Sequence, residues 1–259
     1  MSEKNREGKR SARERLQEER EREKGREKRK RMLLVGVAAI AVLGIAAGVG
    51  VVVSRTGGKE EAAGPVVAPT GANGEDSLAI PVGRTDAPST LTIYEDFRCP
   101  ACAQFENGFR GTIDELRRAG QLRTEYHLVT IIDGNVGGRG SLNAANAAAC
   151  AQDVGKFPEY HDVLYKNQPP EQDDAFARKD YLIELASQVK GLVTNTFKKC
   201  VNDGDHDGWV KKANSAFTSS SHQGTPTVLL NGKDVYADQQ NPLTPDKLKK
   251  LVGDAAKGQ

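Results

Sequence analysis

The chain has 259 residues, four cysteines and a formal net charge of +2. Residues 1–31 carry 14 Lys/Arg against 8 Asp/Glu, whereas residues 55–259 carry the other 23 Lys/Arg against 27 Asp/Glu. Residues 55–259, the part of the chain that is long enough to form a folded domain, are therefore mildly acidic. They lack the basic surface of a nucleic-acid-binding domain, so no nucleic acid is expected as a partner.

An uninterrupted apolar segment follows the charged tail, from Met32 to Val53, and contains no charged side chain. A helix of this length would extend roughly 33 Å, which is enough to cross the core of a bilayer. A cleaved signal peptide is the alternative, but its apolar region is typically only ~7–15 residues long and follows a short basic leader. We therefore predict an uncleaved transmembrane helix over residues 32–53, in contact with membrane lipid.

The charges that flank this segment predict its orientation. Lysines and arginines are concentrated in residues 24–31, whereas only Arg55 and Lys59 follow closely after the apolar segment. By the positive-inside rule, the tail 1–31 stays in the cytoplasm and everything after residue 54 is exported. The expected product is a single-pass protein of the cell membrane with an extracytoplasmic domain.

Residues 54–77 are rich in glycine and proline and poor in large apolar side chains. This composition is typical of a flexible tether. We predict a linker over residues 54–77 and a folded domain over residues 78–257.

The folded domain begins with a predicted strand, helix and strand. Apolar and polar side chains alternate over residues 91–97, and many of these residues favour β-structure, which predicts a strand. Apolar residues recur at helical spacing through 102–118, which predicts a helix that Gly120 ends. Residues 122–132 then form a second predicted strand.

A block of helical segments and a hairpin complete the predicted elements. The helical segments cover residues 141–153, 160–166, 181–189 and 194–201. Residues 226–230 and 233–236 are predicted strands joined at Asn231-Gly232, a dipeptide that favours a two-residue turn. A final helix is predicted over 244–256, with Thr244 as its cap and Pro245 in its first turn.

Two cysteines, in the sequence Cys99-Pro100-Ala101-Cys102, stand where the first strand ends and the first helix begins. A helix N-terminus carries partial positive charge and unpaired N–H groups, which stabilise a thiolate and lower the pKa of Cys99. The spacing lets Cys102 reach Cys99 and resolve a mixed disulfide. Zinc and a purely structural bridge are alternatives, but zinc needs about four ligands, and the other cysteines and the histidines are scattered. No metal is expected.

A second feature is Gly224-Thr225-Pro226-Thr227, directly before an apolar strand. A proline there is compatible with the start of an edge strand. The sharper hypothesis is a cis Thr225–Pro226 bond that faces the two cysteines. Because proline has no N–H, the backbone beside it would be open to pairing with an extended substrate.

These two motifs, with Tyr94-Glu95-Asp96-Phe97 before the first and Val228–Gly232 after the second, resemble the DsbA-like branch of the thioredoxin superfamily. The resemblance covers about residues 77–257 and implies an α/β thioredoxin-like fold with an inserted helical domain at about 139–218. It implies a thiol–disulfide oxidoreductase that needs no cofactor. Cys99 would be the attacking cysteine, Cys102 the resolving one, and Thr225 and Pro226 the substrate-contact loop.

The chain departs from the family at two positions. Ala101 stands where the best-known DsbA proteins have histidine, which removes one donor that could stabilise the thiolate. The buried acid of thioredoxins lies six residues before the first cysteine, and that position is Ile93 here. Glu95 or Asp96 could carry the proton instead, and the sequence leaves open whether either does.

The remaining cysteines are Cys150 and Cys200, both in predicted helices of the inserted block. Four cysteines allow three pairings. If Cys99 pairs with Cys102, a Cys150–Cys200 bridge remains, and export to an oxidising compartment favours it over two buried free thiols.

The predicted function is oxidation of cysteine pairs in exported proteins, with a membrane redox partner that recycles Cys99 and Cys102. The alternatives are a reductase or isomerase of the same fold, and a membrane-tethered binding module without catalysis.

Overall fold

The computed structural model describes residues 65–238 and 240–257. The predicted tail 1–31, the predicted transmembrane helix 32–53 and the first part of the linker lie outside the described residues. Among the residues that are described, no helix is both long enough and apolar enough to cross a bilayer.

A sheet of five strands forms the centre of the domain. Its strands are β1 (Ile80–Val82), β2 (Ser89–Glu95), β3 (Leu122–Leu128), β4 (Thr227–Leu230) and β5 (Lys233–Asp234). Their order across the sheet is β1-β3-β2-β4-β5, with β2 and β3 parallel and the other pairs antiparallel. Buried and partly buried residues alternate along β2 and β3, which is the pattern of strands that face a core.

Eight α-helices accompany the sheet in the described part of the chain. They are α1 (Pro100–Arg118), α2 (Ile131–Val136), α3 (Gly140–Asp153), α4 (Phe157–Lys166), α5 (Lys179–Ala186), α6 (Asn195–Asp203), α7 (Asp207–Thr218) and α8 (Pro245–Lys257). Helices α2 to α7 lie between β3 and β4 in the chain and form the inserted domain. The predicted α/β fold with a helical insertion is therefore confirmed.

The insertion begins at Ile131, before the predicted boundary at 139. The predicted strand 122–132 was too long, because β3 ends at Leu128 and the next residues turn into α2. The backbone N–H of Ile132 donates to the carboxylate of Asp96 at 2.9 Å instead of to a neighbouring strand. A tertiary contact thus ends the strand, and apolar periodicity does not reveal it.

Helix α3 is the centre of the insertion. All residues from Gly140 to Ala151 are buried, and α3 contacts α2, α4, α6 and α7. Its run of alanines lets these neighbours approach closely, because an alanine side chain fills little space. A disulfide between Cys150 and Cys200 joins α3 to α6, with a Cα–Cα distance of 5.9 Å. The predicted pairing of these two cysteines is confirmed.

A tight turn and a short strand complete the sheet. Asn231 and Gly232 both have positive φ, 50° and 82°, as a tight hairpin turn between β4 and β5 requires. Strand β1 was not predicted from the sequence. It has three residues, including Pro81, and pairs with the edge of β3, where a missing N–H is tolerated.

The second half of the predicted flexible linker is bound to the domain. Thr70 donates from its backbone N–H and its hydroxyl to Asp153 Oδ1, at 2.7 and 3.0 Å. The carbonyl oxygen of Val67 lies 2.8 Å from Nδ1 of His206. Glycine and proline content predicted mobility there, but side chains of the inserted helices pair with the backbone of this segment and hold it.

Candidate active site

Cys99 and Cys102 lie at the junction between the central strand and α1. Strand β2 ends at Glu95, and Cys99 is the residue immediately before the first helical residue, Pro100. Both cysteines are free thiols in this structure. Cys99 is 6% exposed and Cys102 is 0% exposed. An incoming thiolate therefore reaches Cys99 before it could reach Cys102.

The two thiols differ strongly in acidity. The hydrogen bond from the Cys102 thiol and the backbone N–H groups of Ala101 and Cys102 lower the pKa of Cys99 to about 6, although burial opposes them. Burial and the neighbouring Cys99 raise the pKa of Cys102 well above its ordinary value of 9.0. At neutral pH, Cys99 is a thiolate and Cys102 a thiol.

The loop that contains Pro226 faces this pair, and its Thr225–Pro226 peptide bond is cis, as the sequence predicts. Strand β4, which follows the loop, is antiparallel to β2, so the start of β4 lies beside the end of β2. This pairing brings the carbonyl oxygen of Thr225 to 3.3 Å from Cys99 Sγ. The structure thus brings together the four residues of the two predicted motifs.

Arg98 was missed by the sequence analysis. Its side chain is 2% exposed and runs into the inserted domain, where it pairs with Asp133 at 2.7 Å and Asp174 at 3.0 Å. The guanidinium also donates to the carbonyl oxygens of Gly137 and Glu171. Because Arg98 directly precedes Cys99, this network attaches the turn that carries Cys99 to the insertion.

A second attachment comes from Gln168, in the loop after α4. Its side-chain amide donates to the carbonyl oxygens of Phe97 and Cys99, both at 2.9 Å. A glutamine in a loop gives no sequence signal for such a role. The turn at 97–99 is therefore held on both sides of Arg98 by residues of the inserted domain.

Asp96 is fully buried below the turn. Its carboxylate accepts hydrogen bonds from Ser141 Oγ at 2.7 Å and from the backbone N–H groups of Arg98 and Ile132 at 2.8 and 2.9 Å. Burial raises the pKa of Asp96 to about 7, although these three donors oppose the shift. Because two of its three donors, Ser141 and Ile132, belong to the insertion, Asp96 connects the two parts of the domain.

Glu95 belongs to a different buried group. It pairs with His161 of α4, with 2.7 Å between Glu95 Oε1 and His161 Nε2. Glu106 of α1 is also buried, and the three side chains have ligating atoms within 4.8 Å of one another. Glu106 stands one helical turn after Cys102, on the same face of α1. A charged residue on that apolar face was a signal that the sequence analysis did not use.

Among the described residues, two groups of side chains have the spacing that a metal ion could use. The first is Glu95, Glu106 and His161, and the second is Cys150, Cys200 and His206. The two cysteines of the second group are joined in a disulfide, so they cannot act as thiolate ligands. In the first group, His161 Nε2 already bonds Glu95. The geometry favours an ion pair with a buried acid beside it.

The comparison with known proteins agrees with this geometry. The sequence model of the family described as Thioredoxin matches residues 76–254. Disulfide bond formation protein D of Bacillus subtilis is 24% identical over 180 residues, which are 68% of this chain and 77% of that protein.

Two solved structures from Mycobacterium tuberculosis are similar in fold and sequence. Oxidised Mtb DsbA is 29% identical with a TM-score of 0.59, and the match covers 68% of this chain and 92% of that one. The reduced disulfide bond oxidoreductase DsbG is 29% identical with a TM-score of 0.59, over 69% of this chain and 87% of that one. The chain therefore belongs to the thioredoxin family, and within it to the DsbA-like thiol–disulfide oxidoreductases.

Proposed function

We propose that this protein is a membrane-anchored oxidant that forms disulfide bonds in exported proteins through Cys99 and Cys102. The observation that carries the proposal is the position of Cys99 directly before α1 and 3.3 Å from the carbonyl oxygen of Thr225. In this position the Cys102 thiol and the backbone N–H groups of Ala101 and Cys102 lower the pKa of Cys99 to about 6. A stabilised thiolate favours the reduced pair. Stabilising the reduced pair makes the Cys99–Cys102 disulfide a stronger oxidant.

The reaction begins with the oxidised pair. A substrate thiolate attacks Cys99 Sγ, the Cys99–Cys102 bond breaks, and its electron pair passes to Cys102 Sγ, which takes up a proton. A second substrate thiolate then attacks the substrate sulfur of the mixed disulfide and releases Cys99 as a thiolate. The substrate gains a disulfide, and Cys99 and Cys102 are left reduced.

The loop opposite the cysteines supports this sequence of steps. The backbone at Thr225, 3.3 Å from Cys99 Sγ, is placed to pair with an extended substrate segment during the attack. Thr225 and Pro226 thus form the substrate-contact loop.

The apolar segment 32–53 and its basic flank support a location outside the cytoplasm, where thiols are not kept reduced. The name of the Bacillus subtilis relative, Disulfide bond formation protein D, refers to the same chemistry. Repeated turnover requires a membrane redox partner that accepts electrons from the reduced pair. Exported proteins with cysteine pairs are the proposed substrates.

The test compares two assays on the same purified protein. Oxidised protein should restore the activity of reduced, unfolded ribonuclease, and Cys99→Ser should abolish this. If the wild type instead reduces insulin efficiently and does not oxidise ribonuclease, the protein is a reductase. If neither assay depends on Cys99, the protein is a tethered binding module.

Topology needs its own experiment. Protease added to intact spheroplasts should remove the domain after about residue 54 and leave a small membrane-bound fragment. Recovery of the full-length domain from the culture fluid would contradict the anchor and indicate a cleaved signal peptide.

A further inference from the structure

A group of four rings lies beside the chain segment that leads from α7 to the substrate-contact loop. The ring of His222, in this segment, has its centroid 4.9 Å from that of Tyr94 on β2. It also lies 5.8 Å from the ring of Phe217, near the end of α7. Tyr94 in turn stacks on His127 of β3, with 4.3 Å between centroids. Burial lowers the pKa of His127 to about 4, so this ring is uncharged at neutral pH and packs as an aromatic surface.

The segment itself, residues 219–224, has few other means of attachment. Its serines and Gln223 are exposed, whereas His222 is partly buried. Among the described residues, the hydrogen bonds of this segment all remain between residues 215 and 227. The ring of His222 therefore attaches this segment to the central sheet.

Tyr94 contacts the chain on both sides of the substrate-contact loop. In the pairing of β2 with β4, Tyr94 is the register partner of Thr227, two residues after Thr225. Its ring contacts His222, three residues before Thr225. The hydroxyl of Thr227 also donates to the carbonyl oxygen of Gly224 at 2.7 Å. One residue of the central strand thus fixes both ends of the stretch that contains Thr225.

We infer that His222 is a positioning residue for the substrate: its ring, packed on Tyr94, holds the backbone at Thr225 where an extended polypeptide can pair with it. The inference rests on the proposed function, because it concerns the loop that contacts the substrate during attack on Cys99. A ring suits this role, since an aromatic pair is stabilised beyond its buried area by roughly 2–10-fold in an equilibrium constant.

This role predicts a difference between two kinds of substrate. A polypeptide can pair with the backbone at Thr225, whereas dithiothreitol has no peptide groups and reacts only through its two thiols. Displacement of the loop should therefore slow the oxidation of a peptide more than the oxidation of dithiothreitol. A general loss of folded protein would slow both reactions alike.

The experiment measures how fast the oxidised protein oxidises a reduced peptide with two cysteines and, separately, dithiothreitol. The variants His222→Ala and His222→Gln both lack the ring, and glutamine keeps a hydrogen-bonding side chain. In both, the rate constant for the peptide relative to that for dithiothreitol should fall roughly 2–10-fold, the contribution of an aromatic pair. His222→Phe keeps an aromatic ring and should restore the wild-type ratio.

The matched control is Tyr181→Ala. Tyr181 is also a partly buried ring in an aromatic stack, 6.2 Å from Phe176, but it lies in α5 of the insertion. This variant should leave the ratio at its wild-type value. The inference is overturned if the ratio is unchanged in His222→Ala, if His222→Phe fails to restore it, or if Tyr181→Ala lowers it equally. Failure of the proposed function would appear separately, as oxidation of the peptide that persists in Cys99→Ser.

Discussion

Cys99 Sγ and the carbonyl oxygen of Thr225 lie 3.3 Å apart, although 126 residues separate them in the chain. The contact exists because β4 pairs antiparallel with β2, which aligns the start of one strand with the end of the other. The candidate nucleophile and the proposed substrate-contact loop are thus held by adjacent strands of one sheet.

The acidity of Cys99 can be measured directly. We expect the alkylation rate of Cys99 in the reduced protein to rise with pH about a midpoint near 6, since only the thiolate reacts. Ala101→His should lower this midpoint further, because the ring adds a donor and a positive charge beside the thiolate. A midpoint near the ordinary value of 9.0 would contradict the proposed oxidising role.

The same acidity makes the stability of the reduced protein depend on pH. Since the pKa of Cys99 is lower in the folded state, the unfolded state binds more protons between about pH 6 and pH 9. The stabilisation from Cys99 is therefore full above pH 9 and lost as pH falls through 6. In urea unfolding, the difference in free energy between wild type and Cys99→Ser should grow with pH across this window. If the difference in unfolding free energy between the two proteins does not change with pH, the pKa of Cys99 is not lowered by folding.

The Cys150–Cys200 disulfide is expected to stabilise the insertion without taking part in exchange. Replacing both cysteines with alanine should lower the free energy of unfolding by about 4 kcal/mol, as loop-closure entropy predicts for a loop of this size. Ribonuclease oxidation under mild conditions should persist, because Cys99 and Cys102 are untouched. Loss of exchange in a variant that is still folded would contradict this assignment.

The ion pairs between Arg98 and the insertion can be tested at Gly140, because a larger side chain at this position would displace Asp174 and Arg98. A Cβ at Gly140 would lie 2.3 Å from Asp174 Oδ1 and 2.9 Å from Arg98 Cδ. Gly140→Ala should therefore destabilise the protein by roughly 1–3 kcal/mol and slow exchange at Cys99. Gly111 is the control, since nothing lies within 4 Å of its Cβ position. Gly111→Ala should stabilise helix α1 by roughly 0.5–1 kcal/mol.

The segment at 65–77 is expected to detach when its anchor is removed. Asp153 accepts hydrogen bonds from Thr70 and also pairs with His206 at 2.9 Å. Asp153→Ala should make this segment more sensitive to protease and leave exchange unchanged. Asp246→Ala, at an exposed position in the first turn of α8, serves as the control. Equal cleavage in both variants would show that Asp153 does not hold the segment.

Much of the active site could be predicted from the sequence because its signals are short in range. The cysteine pair, the proline before β4 and the Asn231-Gly232 turn each depend on neighbouring residues. The cap of α8 does too, since Lys247 N–H donates to Thr244 Oγ1 at 3.2 Å. The bounds of the six predicted helices differed from prediction by a few residues at most, because caps and apolar spacing are local. Helices α2 and α7 were not predicted from the sequence.

The surroundings of the cysteines were decided only by tertiary structure. His161 is 66 residues from Glu95, and Arg98 reaches Asp133 and Asp174 across 35 and 76 residues. No periodicity or motif connects such positions. Removal from water forces each buried charge to find a partner, and the partners found here come from distant parts of the chain. The sequence alone thus determined the cysteine pair and the proline motif through local signals, whereas the packing of the insertion against β2 and α1 decided which side chains surround them.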